Sequence, residues 1–347
     1  MVRISHTLGL VLFIGFVAML VSACGSSNSQ MHSTPNDVSS SPECRIVEHD
    51  AGETQICSRP QKIVTLDQYT LDILLSLGAQ PAGYAERWSR NLSVFDRPSQ
   101  QIPYLGSRIT TQPIYLGGEG NPSLERLTAL KPDLILTEQR EQYELLSRIA
   151  PTVYVEYNKG GWKRDIHIIA KALDREPEAQ QVLTMHQQQM RETQRKLAPV
   201  LATHSRLLLA SVSNLGNPVD LYYKDPPATL LAALGFQLVS PKDMAAGTQR
   251  KISMETLSQL EADIVIASMR SDWLNSDSVW NSNSYDVPLE NFKRAWNRIP
   301  LLQNWQPNQE GCVYFVDGVL WSGTIRGPIA DEIVMQQLPE LLLPPCS

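Results

Sequence analysis

Histidine is scarce in this chain, six residues in 347, and that scarcity narrows the chemistry open to it. A bare zinc or manganese ion would need several histidines and carboxylates converging on one point, and no His–Cys–Asp grouping suggests a nucleophile with its base. No G-x-G-x-x-G follows a strand, and neither a P-loop nor G-x-S-x-G occurs; Gly117-Gly118-Glu119-Gly120 is a weak substitute. These gaps argue against an α/β enzyme, which stays the alternative from another functional class. Basic blocks are missing too, and the formal net charge is −6, so nucleic acid is not an expected partner. After the first two dozen residues no stretch is apolar enough to span a membrane.

What is present begins with a processing signal. A positive start containing Arg3 precedes the apolar run Leu8 to Val21, followed by Val21-Ser22-Ala23-Cys24. A small-residue cleavage site ending in Cys looks like a bacterial lipobox, which would make residues 1–23 a signal peptide and Cys24 an acylated first residue. Cleavage would remove Arg3 alone among charged groups, taking −6 to −7. Residues 24–43 read as a flexible tether: seven Ser fall in the nineteen residues from Gly25 to Glu43, with almost nothing to bury. Such a coil spans roughly 24 Å, which would keep the folded body beside an extracytoplasmic membrane face.

With Cys24 assigned to lipid, Cys44, Cys57, Cys312 and Cys346 remain. An even number in an exported chain suggests disulfides, although four cysteines allow three pairings. Arg45-Ile46-Val47 and Thr54-Gln55-Ile56 read as two short strands around a turn, which would bring Cys44 beside Cys57. By elimination Cys312 pairs with Cys346. No C-x2-C or H-x3-H spacing supports a zinc site instead.

The most informative feature is an internal echo. Pro122 to Leu136, PSLERLTALKPDLIL, reappears as Ile252 to Ile266, ISMETLSQLEADIVI, with Ser, Glu, Leu, Leu and Asp matching. Each copy offers a Ser helix cap, a short amphipathic helix, then Asp and an all-apolar run suited to a strand buried on both faces. A weaker echo relates Leu74–Gln80 to Leu230–Gln237, where Gly78 and Gly235 would end helices. The chain therefore reads as two α/β lobes, residues 44–165 and 203–347. Between them, in a connecting segment over 166–202, the spacing of Ala179, Val182, Leu183, His186, Met190, Thr193 and Leu197 predicts one helix over 177–197. Pro177 suits its first position. At about 31 Å it would act as a strut from lobe to lobe.

Taken together, the lipobox, the Ser-rich tether and the duplicated S-[LM]-E helices resemble the ABC-importer binding proteins that serve ferric siderophores, ferric citrate, haem and cobalamin. His49-Asp50-Ala51-Gly52-Glu53-Thr54-Gln55-Ile56 with Arg59-Pro60-Gln61-Lys62-Ile63-Val64-Thr65-Leu66 looks like that family's opening hairpin and first strand. Asn121-Pro122-Ser123-Leu124-Glu125, Lys131-Pro132-Asp133-Leu134-Ile135 and Ile149-Ala150-Pro151-Thr152-Val153 look like its later signatures. The likeness covers about residues 44 to 346. It implies an α/β fold of two Rossmann-like lobes joined by a single long α-helix, with the ligand in the cleft between them. It further implies a monomer that captures an iron(III)–siderophore complex and hands it to an ABC permease dimer, with no cofactor of its own. Cobalamin or haem is the alternative ligand within the same fold.

Side chains at the carboxyl ends of parallel strands line such a crevice. The candidates are Tyr69, Trp88, Arg140, Tyr223, Lys224, Arg270, Trp273, Trp321 and Arg326. Rings would cover the organic shell of a chelate, and guanidinium forks would grip its oxygens. The resemblance singles out Arg140 and Trp321, which follow the two strands where the family places ligand contacts. Arg140, Lys224, Arg270 and Arg326 favour an anionic ligand, citrate-type or hydroxamate. Gly118-Glu119-Gly120 stands where some hydroxamate binders carry Arg. In the family, the acids matching Glu125 and Glu255 meet permease arginines, one per lobe.

Overall fold

In the computed structural model, residues 44–86, 96–212, 219–221, 226–241, 250–269 and 289–346 are described. The chain opens with the antiparallel hairpin β1 (Cys44–His49) and β2 (Gly52–Cys57). Cys44 lies directly opposite Cys57 with Cα atoms 4.0 Å apart, and the two form a disulfide. The second bridge joins Cys312 to Cys346. Both pairings are those expected from the cysteine positions.

The first lobe contains β3 (Ile63–Thr65), α1 (Gln68–Ser76), β4 (Gly83–Glu86), α2 (Pro98–Gln101), β5 (Ile114–Gly118) and β6 (Asn121–Pro122). It continues through α3 (Leu124–Leu130), β7 (Leu134–Thr137), α4 (Tyr143–Leu146), β8 (Thr152–Tyr154) and α5 (Trp162–Leu173). Its sheet runs β6-β5-β4-β3-β7-β8, parallel except at β6. A single long helix, α6 (Glu176–Thr203), then carries the chain across.

In the second lobe come β9 (Arg206–Val212), β10 (Val219–Leu221), α7 (Ala228–Leu234), β11 (Gln237–Leu238), β12 (Arg250–Ile252), α8 (Met254–Ser258) and β13 (Ile264–Met269). After them come α9 (Leu289–Trp296), α10 (Pro300–Gln303), α11 (Gln306–Gln309), β14 (Val313–Asp317), α12 (Gly318–Trp321) and α13 (Pro328–Leu342). The second sheet runs β12-β10-β9-β13-β14, with β11 also paired to β9. The two six-stranded sheets are separate, not one continuous sheet.

The sequence echo is a structural one. Ser123 and Ser253 cap α3 and α8, each Oγ accepting the N–H three residues on, at 3.3 and 3.2 Å. The strands that follow, β7 and β13, are buried along their whole length. Each echoed Asp also does the same job: Asp133 accepts the Lys62 N–H at 2.8 Å and Asp263 the Arg206 N–H at 2.8 Å. In both lobes this carboxylate pins the start of the neighbouring strand, β3 or β9. Gly78 and Gly235 follow α1 and α7 with φ of 71° and 116°.

α6 has 28 residues, about 42 Å of helix, and outruns the expected 177–197 at its far end. Pro199 lies inside it, a residue that normally stops a helix. The last turn persists because Leu197 and Val200 are buried in the second lobe's core, and that packing outweighs the one missing N–H. The core itself crosses between the lobes: Leu71, Leu75, Ile102 and Leu105 of the first pack in one cluster with Leu231, Ile266, Trp321 and Leu338 of the second. No described helix is long and apolar enough to cross a membrane.

Candidate functional site

The two lobes face each other across a cavity of about 380 Å³. Glu138, Arg140, Tyr154 and Tyr157 line it from the first lobe, Ser322 and Arg326 from the second. The first-lobe residues follow the carboxyl ends of β7 and β8, where parallel strands deliver their loops.

Arg326 reaches from the second lobe into the first. Its guanidinium carbon lies 4.6 Å from the Tyr157 ring centroid and 5.5 Å from that of Tyr69, within cation–π range. Glu138 forms an ion pair with its Nη2. Burial works against the charged arginine, but Glu138, with Tyr157 and Asp67 adding to it, raises the guanidinium above its ordinary pKa. Its Nε is buried with no acceptor among the described residues. Glu138 is placed through its own backbone N–H, which donates to Asp67 Oδ2 at 2.7 Å. Complete burial, with the Glu138 and Glu119 carboxylates adding to it, pushes Asp67 up to about 8.

Arg140 starts the turn after β7 and is exposed, with its guanidinium 5.4 Å from the Tyr143 centroid and 5.7 Å from that of Tyr154. Gly323 closes the second-lobe rim. It takes φ of 73°, and a Cβ there would run into the Pro226 carbonyl, so the turn admits only glycine.

Two of the expected ligand contacts are buried in this structure. Trp321 is 1 % exposed and belongs to the core, its Nε1 donating to Gln337 at 3.1 Å. The cause is local: Asp317 caps α12 by accepting the Val319 N–H at 2.9 Å, and the single turn that follows carries Val319, Leu320 and Trp321 inward. An Asp followed by Gly-Val-Leu-Trp is the sequence of a capped, buried turn. Tyr69 is also 1 % exposed; its hydroxyl donates to Asp165 Oδ2 at 2.5 Å, so it supports Arg326 from beneath. Trp88, Tyr223, Lys224, Arg270 and Trp273 lie outside the described residues. So does Cys24.

The argument for an anionic ligand also changes. Of the four cations behind it, Arg140 and Arg326 are described, and Arg326 is partly neutralised by Glu138. Glu138, Tyr154, Tyr157 and Ser322 were missed as lining residues. Three of them lie at or just after the ends of β7 and β8; the run Ile149–Val153 resembles a family signature, but nothing in it marks β8 as a strand whose following loop reaches the cleft.

Glu125 and Glu255 are exposed in the first turns of α3 and α8, at matching places in the two lobes. Among the described residues one grouping of three metal-ligating side chains occurs, His204 with Cys312 and Cys346. The two sulfurs are bonded to each other, and a disulfide offers no thiolate for a metal.

The sequence profile of one family, described as "Periplasmic binding protein", matches residues 63–304. This chain belongs to that family. As a periplasmic binding protein it is 26% identical over 331 residues to "Putative ABC transporter substrate-binding lipoprotein YhfQ" of Bacillus subtilis, covering 90% of this chain and 91% of that one. It is 27% identical over 326 residues to "Probable siderophore-binding lipoprotein YfiY" of the same organism, again covering 90% and 91%. Its fold matches the crystal structure of Staphylococcus aureus SirA complexed with staphyloferrin B, with a TM-score of 0.66 and 23% identity over 85% of this chain and 97% of that one.

Proposed function

We propose that this periplasmic binding protein captures a ferric siderophore in the interlobe cavity and delivers it to an ABC permease. The reading rests above all on Arg326: a guanidinium paired with Glu138, still partly exposed and packed against two tyrosine rings on a cavity walled by both lobes. A chelate oxygen of citrate or hydroxamate type would take the accessible part of that guanidinium while Arg140 takes a second. Iron enters as cargo inside its chelator, so the site needs no histidines of its own. The names of relatives spanning nine tenths of the chain, one a siderophore-binding lipoprotein, support this reading.

The same reading places the protein outside the cytoplasmic membrane, tethered by lipid on Cys24. Glu125 and Glu255 are then the docking acids, one for each half of a two-fold permease.

Titration of the mature protein with ferric citrate, ferric hydroxamate, ferric catecholate and cobalamin, followed by quenching of the Trp fluorescence, tests it. The expected result is tightest binding of ferric citrate or ferric hydroxamate, weakened about tenfold or more in Arg140→Ala, from loss of a charge-assisted bond. Tightest binding of cobalamin, or no binding of any ferric complex, would overturn it.

A further inference from the structure

Arg326 is supported by Tyr157, which lines the cavity, and behind it by Tyr69 and Asp165, which do not. Tyr69 and Tyr157, the rings flanking its guanidinium, stand edge to face with centroids 5.0 Å apart and planes at 88°. The Tyr69 hydroxyl donates to Asp165 Oδ2 at 2.5 Å. Asp165 belongs to α5 and is fully buried, while Tyr69 is the second residue of α1, so the bond ties two helices. The other Asp165 oxygen accepts Arg164 Nη1 at 3.0 Å, and Arg164 also pairs with Asp50.

We propose that Asp165, acting through Tyr69, is a positioning residue that orients the Arg326 guanidinium for ligand. This rests on the cavity being the ligand site. Two physical effects converge. A buried phenol that lost its acceptor would carry the full cost of an unmade bond and would turn to find another, moving the ring that faces the guanidinium. A carboxylate accepting from the phenol also draws its proton outward and enriches the ring's negative face, which strengthens the attraction for the cation. Asp165 thereby reaches the cavity from a distance, through one hydrogen bond and one ring.

The groups around Asp165 are mixed in sign: Arg164 from its own helix, Tyr69 from α1, Asp50 from the hairpin turn and Glu138 from the segment after β7. Burial pushes its carboxyl up to about 6, against the lowering by Tyr69 and Arg164, so at pH 7.5 it is largely ionised and able to accept.

The test uses the ligand-free mature chain. The Nε–H resonance of Arg326 is assigned by its loss in Arg326→Lys, and its exchange with water is measured in Asp165→Asn and in Tyr69→Phe. Tyr69→Phe keeps the ring and removes only the hydroxyl. Both variants are expected to speed Arg326 exchange about tenfold or more while the Arg140 signal stays in place. An unaltered Arg326 signal in either folded variant overturns the proposal, and Tyr69→Phe keeps it decidable should Asp165→Asn fail to fold. A second arm measures ferric citrate and ferric hydroxamate affinity. Asp165→Asn is expected to weaken whichever complex the parent binds by about tenfold, and to add nothing in an Arg326→Gln background. An equal further loss in that background would mean Asp165 acts by another route. Failure of the parent to bind either complex would count against the siderophore reading alone, since the exchange measurement needs no ligand.

Discussion

Asp72 sits wholly inside the protein and accepts the backbone N–H groups of Ile329 and Ala330 at 2.8 and 3.0 Å, capping α13 from the other lobe. Burial pushes its carboxyl up to about 7, and Asp331 adds to the rise against those two bonds. Because the folded pKa lies above the unfolded value near 3.8, the folded state holds a proton the unfolded state gives up. Stability from this group is therefore full below pH 4 and is lost as pH rises through 7. Asp72→Asn fixes the side chain neutral and can accept only one of the two N–H groups. It should be less stable than the parent by about 1–2 kcal/mol at pH 5, and the gap should close toward pH 8. Thermal unfolding at the two pH values reads this directly; a gap that widens with pH would mean Asp72 is charged at neutrality. Nothing in the residue order foretells this contact, since Asp72 lies within an apolar helix and its partners come more than 250 positions later.

At the scale of elements, the chain's instructions are mostly local. Ser123 and Ser253, the echoed Asp residues and the closing glycines each act within a few residues or on an adjacent strand, which is why the duplication could be read directly. The Cys312–Cys346 bridge works over a longer reach, tying the segment after α13 to the start of β14 across 34 residues. Closing a loop of that length stabilises by about 3–4 kcal/mol through the unfolded chain's lost freedom. Replacing both cysteines with Ala should lower the unfolding free energy by that order in a urea titration. A loss below about 1 kcal/mol would show that α13 is held by packing alone. Packing does contribute heavily, because α13 lies against α6 and α1 and carries eight buried residues.

For the whole molecule, the covalent path crosses between the lobes once through α6, but other bonds cross beside it. Arg326 meets Glu138, Asp331 takes the Trp162 Nε1–H at 2.9 Å and pairs with His186, and Glu332 pairs with Arg108 at 3.1 Å. With Asp72 on Ile329 and Ala330, the second lobe's residues 326–332 are fastened to the first lobe and the strut. Tyr104 adds a further bond to Asp317 at 2.5 Å. Under the proposed docking role, lobes fastened in this way would hold Glu125 and Glu255 at a fixed spacing. Reversing both charges, Glu125→Lys with Glu255→Lys, should abolish uptake of the iron complex in cells while leaving ligand affinity within about twofold, since both side chains are exposed and neither lines the cavity. Loss of ligand binding with unchanged permease association would refute the docking role.

The sequence by itself determined the two halves, the strut between them, the Cys44–Cys57 bridge and the capped helices that carry the matching acids. Each depends on near neighbours or on a pattern that repeats. Only the tertiary structure decided which aromatic and charged residues reach the cleft. Trp321 and Tyr69 turn inward, while Glu138, Tyr154 and Tyr157 come forward, because a loop side chain's direction is set by one cap and by whatever packs beneath it. Those partners come from distant parts of the chain, and no spacing along it encodes them.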